Sequence, residues 1–261
     1  MILEDFHVHT NLCDGLCTAE DMVLEAIDKG MTSLGFSGHG YTPFDASFCM
    51  SQENTIEYQK QINGLKEKYK DKIEIFCGIE QDYFSDEPLF PPDYIIGSVH
   101  YVKKDGNILS IDESEETFVG IAKEFYGGDY YEMAEDYFSL VSDVVEKTNA
   151  DIIGHFDLIT KFNEGNKLFD TQNPRYVKAA RGAIDKLIPY GKPFELNTGA
   201  ISRGYRTEAY PENSLLSYIK EKGGKVILSS DSHSMATLCY EFSKYEKMAL
   251  DMGFGKINFC K

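Results

Sequence analysis

The sequence predicts an α/β fold, because short apolar segments of β type alternate with longer helix-like segments along the whole chain. Seven such strands, each followed by a crossover, imply that neighbouring strands pair in parallel. A closed or nearly closed barrel is the simplest architecture for this series. A doubly wound open sheet is the alternative.

Each element is assigned from its composition and its boundary residues. The predicted strands span residues 2–8, 33–37, 73–79, 94–99, 151–154, 194–196 and 226–229. The predicted helices span residues 18–29, 55–69, 115–147, 174–188, 212–222 and 236–252. We expect Thr18 to cap the first helix and Gly127-Gly128 to break the third. No linker divides the series, so residues 1–261 are expected to form a single domain.

The charge balance restricts the partners of the chain. It carries 26 basic and 43 acidic side chains, a formal net charge of −17. Such a surface repels phosphate backbones, so we expect no nucleic-acid partner. A small anionic substrate remains compatible, because metal ions can invert the local field. No apolar run has the length of a membrane span and the first residues do not resemble a signal peptide, so we expect a cytoplasmic protein without membrane contact.

The cysteines are scattered rather than arranged in pairs that suggest a disulfide framework: Cys13, Cys17, Cys49, Cys77, Cys239 and Cys260. We expect reduced thiols. Cys13 and Cys17 could in principle bind a metal ion. No second cysteine pair completes a thiolate site, so two free thiols in a loop are favoured.

All the histidines fall at the C-terminal ends of predicted strands: His7, His9, His39, His100, His155 and His233. In a barrel those ends converge on one mouth. His7 and His9 are two residues apart on a strand, so both rings point to the same face and can serve one ion. Asp231 and His233 repeat this spacing on the last strand.

Two further carboxylates occupy similar positions. Glu80 ends the third predicted strand, where a carboxylate can bridge two ions, and Asp14 lies in the loop after the first strand. Each residue alone is a weak signal, because a strand-end histidine is often structural and such an aspartate is often a helix cap. The combination of six histidines and three carboxylates at equivalent topological positions predicts a metal centre.

These motifs resemble those of the polymerase-and-histidinol-phosphatase (PHP) family of metal phosphoesterases. The resemblance runs from Phe-His-Val-His at residues 6–9 to Ser-Asp-Ser-His at residues 230–233. Within the family the chain is similar to the short, monofunctional histidinol-phosphate phosphatases. The segments that carry this similarity are GHFDLITKF (154–162), ELNTGAISRGYR (195–206) and Tyr210-Pro211. The resemblance implies a distorted TIM-like (β/α)7 barrel with the metal site at the C-terminal ends of the strands.

The resemblance also implies two or three divalent metal ions, which in this family are zinc, iron or manganese. The first ion would be held by His7, His9, Glu80 and Asp231. Glu80 would bridge to a second ion, which His100 and His155 would also hold. Asp14, His39 and His233 would hold a third. Some relatives have a histidine in place of Asp14, and mixed imidazole and carboxylate ligands suit all three metals.

The implied reaction is the hydrolysis of L-histidinol phosphate, a small phosphate ester, to L-histidinol and phosphate. We expect a hydroxide that bridges the first two ions to attack phosphorus in line. Arg203 matches an arginine that contacts the substrate phosphate in the family, and its guanidinium can grip phosphate oxygens bidentately. Lys161 is a second candidate for substrate binding, with a solvated surface lysine as the alternative. Asp231, His233 or a metal-bound water could deliver the proton to the leaving group.

One acidic segment has two interpretations. Residues 105–136 contain ten acids and one base. A solvated helical face is favoured. Alternatively, some of these acids attract the ammonium and imidazole end of the substrate. Competing functions are a nuclease, a protein-tyrosine phosphatase of the same family and a catalytically inactive binding module.

Overall fold

The computed structural model describes residues 3–255, which contain ten strands and eight α-helices. The strands are β1 (Glu4–Asp5), β2 (Ser33–Phe36), β3 (Glu74–Cys77), β4 (Ile79–Asp82), β5 (Ile95–Ser98), β6 (Tyr101–Lys104), β7 (Asn107–Ser110), β8 (Ile152–Ile153), β9 (Phe194–Asn197) and β10 (Val226–Ser229). The helices are α1 (Ala19–Asp28), α2 (Gln52–Tyr69), α3 (Glu115–Tyr126), α4 (Tyr130–Thr148), α5 (Pro174–Leu187), α6 (Gly199–Ser202), α7 (Asn213–Glu221) and α8 (Phe242–Asp251).

The strands form two parallel sheets and one hairpin, so the predicted α/β fold is confirmed. One sheet has the order β1-β2-β3, and the other has the order β10-β9-β8-β5-β4. Strands β6 and β7 pair antiparallel beside them. Helices α1 and α2 pack near the first sheet, and α4 packs against both β5 and α5.

Backbone contacts connect the two sheets. The chain passes from β3 into β4 through the single residue Gly78. Beyond β1 and β10, Val8 and Ser232 form a parallel bridge, in which His9 N donates to Ser232 O at 2.9 Å. A second bridge joins His39 to Glu80. These bridges hold the histidines that follow β1 and β2 beside Asp231, which follows β10, and Glu80, which lies within β4.

Tyr94 packs where the two sheets meet. Its hydroxyl lies 2.6 Å from the carbonyl oxygen of Phe6 and 2.9 Å from that of Phe36, and it donates to them. The ring occupies the space in which side chains at Gly35 and Gly78 would stand, since a Cβ atom at Gly78 would lie 2.3 Å from Tyr94 Cζ. Small residues at these two positions therefore permit a large aromatic ring inside the strand layer.

Most predicted helix boundaries agree with the structure. Thr18 and Asp21 form a reciprocal capping box at the start of α1. The long predicted helix breaks as expected, because Gly127 adopts the left-handed conformation that ends α3. The last helix starts later than predicted, at Phe242. Cys239 and Glu241 have positive φ angles of 57° and 54°, which are incompatible with a helix through this segment.

Three strand assignments were wrong or incomplete. The predicted third strand is two strands, β3 and β4, which belong to different sheets. The hairpin β6–β7 was missed, although its Asp105-Gly106 turn between alternating residues is a hairpin signal. The first predicted strand is shorter than expected, and its residue 2 lies outside the described residues. Within residues 3–255, no helix combines the length and hydrophobicity that crossing a membrane requires.

We predict that Gly78→Ala lowers the free energy of unfolding by about 1–3 kcal/mol, because the added methyl overlaps the Tyr94 ring. Gly64→Ala in the exposed part of α2 is the matched control, since a Cβ there meets nothing within 4 Å. Alanine should stabilise that helical position by roughly 0.5–1 kcal/mol. Denaturant titration of both variants measures the difference. Equal changes in the two variants would contradict the packing argument.

Candidate metal centre

The nine predicted ligands converge at the carboxyl ends of the strands. Seven of them line a cavity of about 210 Å³: Asp14, His39, Glu80, His100, His155, Asp231 and His233. His7 and His9 lie beneath it and are completely buried. Donor atoms of seven of the nine, all but His155 and Asp231, fall into three overlapping groups that could each hold an ion, with the atoms of a group within 4.8 Å of one another. Their convergence follows from parallel pairing, which brings all the strand ends to one side.

Glu80 lies at the middle of the cluster and presents its two oxygens to different histidines. Oε2 lies 3.0 Å from His7 Nε2 and 3.1 Å from His39 Nδ1. Oε1 lies 3.0 Å from His155 Nε2 and 3.4 Å from His100 Nε2. A carboxylate with each oxygen directed at a separate group of imidazoles has the arrangement that bridging two cations requires.

A second carboxylate centre surrounds Asp14. Its Oδ2 atom lies 3.0 Å from His233 Nε2 and 3.6 Å from His39 Nε2. The His233 ring stacks on His9 with 4.1 Å between the ring centroids. Asp231 connects the two regions, since its Oδ1 lies 3.3 Å from His9 Nε2 and 3.6 Å from His233 Nδ1.

Two buried acids that were not predicted as site residues orient His7 and His100 by contacting the ring nitrogen that points away from the cluster. Glu195 Oε1 lies 2.7 Å from His7 Nδ1, and Asp82 Oδ2 lies 3.2 Å from His100 Nδ1. Such contacts fix the tautomer so that the other ring nitrogen is free to bind a metal. The sequence carried a signal for Asp82, because Glu80 and Asp82 repeat the two-residue spacing of His7 and His9.

The electrostatics of the cluster favour ionised carboxylates. Burial raises the pKa of Glu80, but the adjacent His7 and His39 together hold it well below its usual range. Burial likewise raises the pKa of Asp231, but the charges of Arg203 and His7 outweigh this effect and hold the pKa well below its usual range. Carboxylates that keep their charge without solvent need neighbouring cations, and metal ions can take that role.

His7 and His9 have pKa values shifted in opposite directions. Although burial acts against the charged form, Glu195, Glu80 and Asp231 raise the pKa of His7 well above its usual range. Burial, followed by the charge of neighbouring histidines, lowers the pKa of His9 to about 3. His9 is therefore neutral at physiological pH, and a neutral imidazole is the form that binds a metal ion.

Two buried polar atoms provide a direct test of whether a cation fits. Within residues 3–255, His9 Nε2 and Asp14 Oδ1 make no hydrogen bond, although buried polar groups are nearly always paired. Both belong to the cluster of convergent imidazole and carboxylate donors. These residues fit divalent cations, which would satisfy the unpaired atoms and offset the carboxylate charge.

The two predicted phosphate-binding residues both line the cavity. Arg203 Nη2 donates to Asp231 Oδ2 at 2.9 Å, so it is paired with a buried carboxylate rather than with a surface acid. Lys161 has a side chain only 13% exposed, and its Nζ donates to the carbonyl oxygen of Asp112 at 2.7 Å. It is therefore not a solvated surface lysine.

The cysteines of the described residues are free thiols, as predicted, while Cys260 lies outside them. Cys13 is the one that approaches the cluster, with Sγ 3.7 Å from His9 Nδ1. Burial, followed by the charge of Asp14, raises the pKa of the Cys13 thiol to about 12. The thiol is therefore protonated at neutral pH, so it is not a ready thiolate ligand.

Fold and site together define a class: an α/β protein whose parallel strands carry a candidate site for divalent metal ions at their carboxyl ends. The PHP domain matches residues 5–199. The chain therefore belongs to the PHP domain family.

Relatives agree with this assignment. A probable histidinol-phosphatase of Schizosaccharomyces pombe is 32% identical over 82% of this chain and 74% of its own length. A probable histidinol-phosphatase of Deinococcus radiodurans is 30% identical over 98% of this chain and 95% of its own length. The fold is similar to that of a histidinol phosphate phosphatase of Lactococcus lactis, which was solved with zinc, L-histidinol and phosphate. The TM-score is 0.74 at 22% sequence identity, and the match covers 98% of this chain and 95% of that chain.

We predict that Glu80→Ala reduces both the metal content and the activity of the protein, since one carboxylate contacts both groups of histidines. Its loss also leaves buried imidazoles uncompensated, so the variant should unfold at a lower temperature. Elemental analysis after dialysis and thermal unfolding measure the two effects. Full metal content and activity in Glu80→Ala would contradict the bridging role. Glu53→Ala on the exposed start of α2 is a control for loss of one carboxylate elsewhere.

Proposed function

We propose that the chain is a metal-dependent phosphomonoesterase that hydrolyses L-histidinol phosphate to L-histidinol and phosphate. The observation that carries this proposal is the two-sided contact of Glu80 with four histidines, beside a cavity that also contains Arg203 and Lys161. The names of the relatives and the contents of the Lactococcus lactis structure support the choice of substrate.

We also propose that the strands close into a distorted barrel of seven β/α units within a single domain of residues 1–261. Three observations support closure. Strands β3 and β4 are separated only by Gly78, and together they count as one of the seven strands of the barrel. The Val8–Ser232 bridge connects the outer strands β1 and β10. The His39–Glu80 bridge continues the pairing on the other side.

We assign the ligands of two or three divalent ions, zinc, iron or manganese, to three groups. His7, His9, Glu80 and Asp231 would hold the first ion. Glu80, His100 and His155 would hold the second. Asp14, His39 and His233 would hold the third, and the proximity of Asp14 to the two histidines supports this group. Bound there, such ions supply Lewis acidity for the phosphoryl oxygens and for the attacking water.

The residues of the chain have separate tasks in this reaction. Arg203 would bind non-bridging phosphate oxygens, because its guanidinium lies at the cavity beside Asp231 and can offer a bidentate contact. Lys161 would add a second positive charge. Asp231 and His233 are the candidate proton carriers for the leaving alkoxide, with a solvent water as the alternative.

The cationic end of the substrate would contact carboxylates that line the same cavity. These carboxylates are Asp45, Asp112 and Glu113, and the rings of Phe48 and Tyr101 line the cavity with them. Asp112 also lies beside Lys161, with 3.5 Å between its Oδ2 and the lysine Nζ. Asp112 and Glu113 are the second and third acids of the acidic segment, after Asp105. Other acids of that segment form exposed ion pairs, such as Glu135 with Arg175 and Glu132 with Lys104. We therefore propose that the segment serves the substrate only at its start and is a solvated face elsewhere.

A substrate screen tests the function. Histidinol phosphate should be hydrolysed with a higher kcat/KM than a phosphotyrosine peptide or single-stranded DNA, which a net charge of −17 disfavours. p-Nitrophenyl phosphate, an ester without a cationic end, is included as a reference. Glu113→Gln should raise KM for histidinol phosphate and leave KM for the reference ester unchanged, because only a cationic end would contact the Glu113 carboxylate. Preference for DNA or the peptide would contradict the proposal, and metal binding without hydrolysis of any ester would indicate an inactive module.

Arg203→Ala should reduce kcat/KM for histidinol phosphate by about 100-fold or more, as expected for removal of one charge-assisted donor to the reacting group. Arg203→Lys should recover only part of this loss, because an ammonium group cannot reproduce the planar fork. Steady-state kinetics and metal analysis of the same samples measure both effects. Arg206→Lys is a control for arginine replacement in the same segment, since Arg206 does not line the cavity. Unchanged kinetics in Arg203→Ala would leave phosphate binding to the metal ions.

A further inference from the structure

His9 differs from three neighbouring histidines in the partner of its Nδ1 atom. His7 and His100 have carboxylates there, and His233 has the carbonyl oxygen of Asp231 at 2.9 Å. His9 Nδ1 faces the sulfur of Cys13 at 3.7 Å. Asp14 Oδ1 lies 3.5 Å from the same nitrogen, but this oxygen makes no hydrogen bond in the described part of the chain.

The Cys13 thiol is held in a fixed position by a tight turn after the first strand. The Cys13 and Gly15 backbone N–H groups both donate to Thr10 O at 3.0 Å. The Cys13 thiol donates its own hydrogen to the same oxygen, with Sγ 3.3 Å away. Because the hydrogen is directed to Thr10, the sulfur lone pairs are available to accept from the His9 ring.

The other nitrogen of His9 points into the candidate metal centre. Nε2 is completely buried, has no hydrogen bond among residues 3–255, and lies 3.3 Å from Asp231 Oδ1 and 3.5 Å from Glu80 Oε2. For Nε2 to bind a cation, the ring hydrogen must reside on Nδ1. In a neutral ring, an acceptor beside Nδ1 stabilises that tautomer and fixes the orientation of the ring.

We propose that Cys13 is a positioning residue, whose sulfur accepts a hydrogen bond from His9 Nδ1–H and so fixes the ring with Nε2 directed at the metal centre. The inference rests on the metal centre of the proposed function, but not on the identity of the substrate. A thiol is a weaker acceptor than a carboxylate, so His9 would be a less polarised ligand than His7. Cys13 itself contacts neither the substrate nor the ion.

Metal affinity of three variants tests this role. Outer partners of metal-binding histidines typically contribute 10–100-fold to affinity, so Cys13→Ala should bind zinc about 10-fold more weakly than wild type. Cys13→Ser keeps a small hydroxyl acceptor and should recover a large part of that loss. Cys17→Ala is the matched control, since Cys17 lies in the same loop and its thiol makes no hydrogen bond within the described residues. Competition with a chelator measures the dissociation constant for each full-length protein.

A tautomer measurement separates positioning from a structural effect. In the zinc-loaded protein, two-dimensional ¹H–¹⁵N NMR of labelled histidines should show His9 protonated at Nδ1. In Cys13→Ala this signal should broaden or shift, while the signals of His7 and His100 stay unchanged. Thermal unfolding of the metal-free variants should differ little, because the loss concerns metal binding.

Three results would overturn the proposal. One is a Cys13→Ala affinity equal to that of Cys17→Ala. Another is Cys13→Ser binding zinc no better than Cys13→Ala. The third is a sulfur-to-cobalt charge-transfer band in the cobalt-substituted wild type, which would make Cys13 a direct ligand. Failure of wild type to bind any metal would instead contradict the proposed metal centre, so the two failures are distinguishable.

Discussion

The structure depends on the burial of opposite charges around Glu80. Carboxylates and imidazoles stand there without solvent, and each is tolerated only because the others are present. The two oxygens of Glu80 contact separate groups of histidines, so this single side chain in β4 connects residues that follow four other strands. A divalent cation is suited to such a site, because it replaces several shared protons with one fixed charge. The remaining features hold this arrangement in place.

Buried groups under the cluster provide that support. Asp5 accepts from the backbone N–H groups of His7, Ser230 and Cys239, and so joins the first strand to the last. Asp231 adopts a positive φ of 50°, an uncommon conformation for a residue other than glycine, and one that clusters at functional sites. Gly199 leaves room for it, since a Cβ there would lie 2.7 Å from Asp231 Cβ. The backbone is thus shaped to direct one carboxylate into the cavity.

The chemical character of the cavity is determined by the loops that surround the metal-ligand cluster. The strand ends supply imidazoles and carboxylates at the base, and the segment after β9 supplies Arg203. The loop after β2 and the hairpin β6–β7 supply Asp45, Phe48 and Tyr101, with Tyr101 donating to Asp45 Oδ2 at 2.8 Å. The cavity therefore contains cationic groups suited to a phosphate and carboxylates suited to a cationic group. This combination is consistent with the proposed substrate.

The sequence by itself determined the parallel α/β class, most helix boundaries and the nine residues that converge at the cavity, because periodicity and strand-end position are local properties that parallel pairing converts into proximity. It did not reveal the break at Gly78, where the ring of Tyr94, the residue before β5, packs against the backbone. It also missed Asp82 and Glu195 as partners of His100 and His7. Only the tertiary structure decided these, since a hydrogen bond across strands depends on register and side-chain direction rather than on residue type.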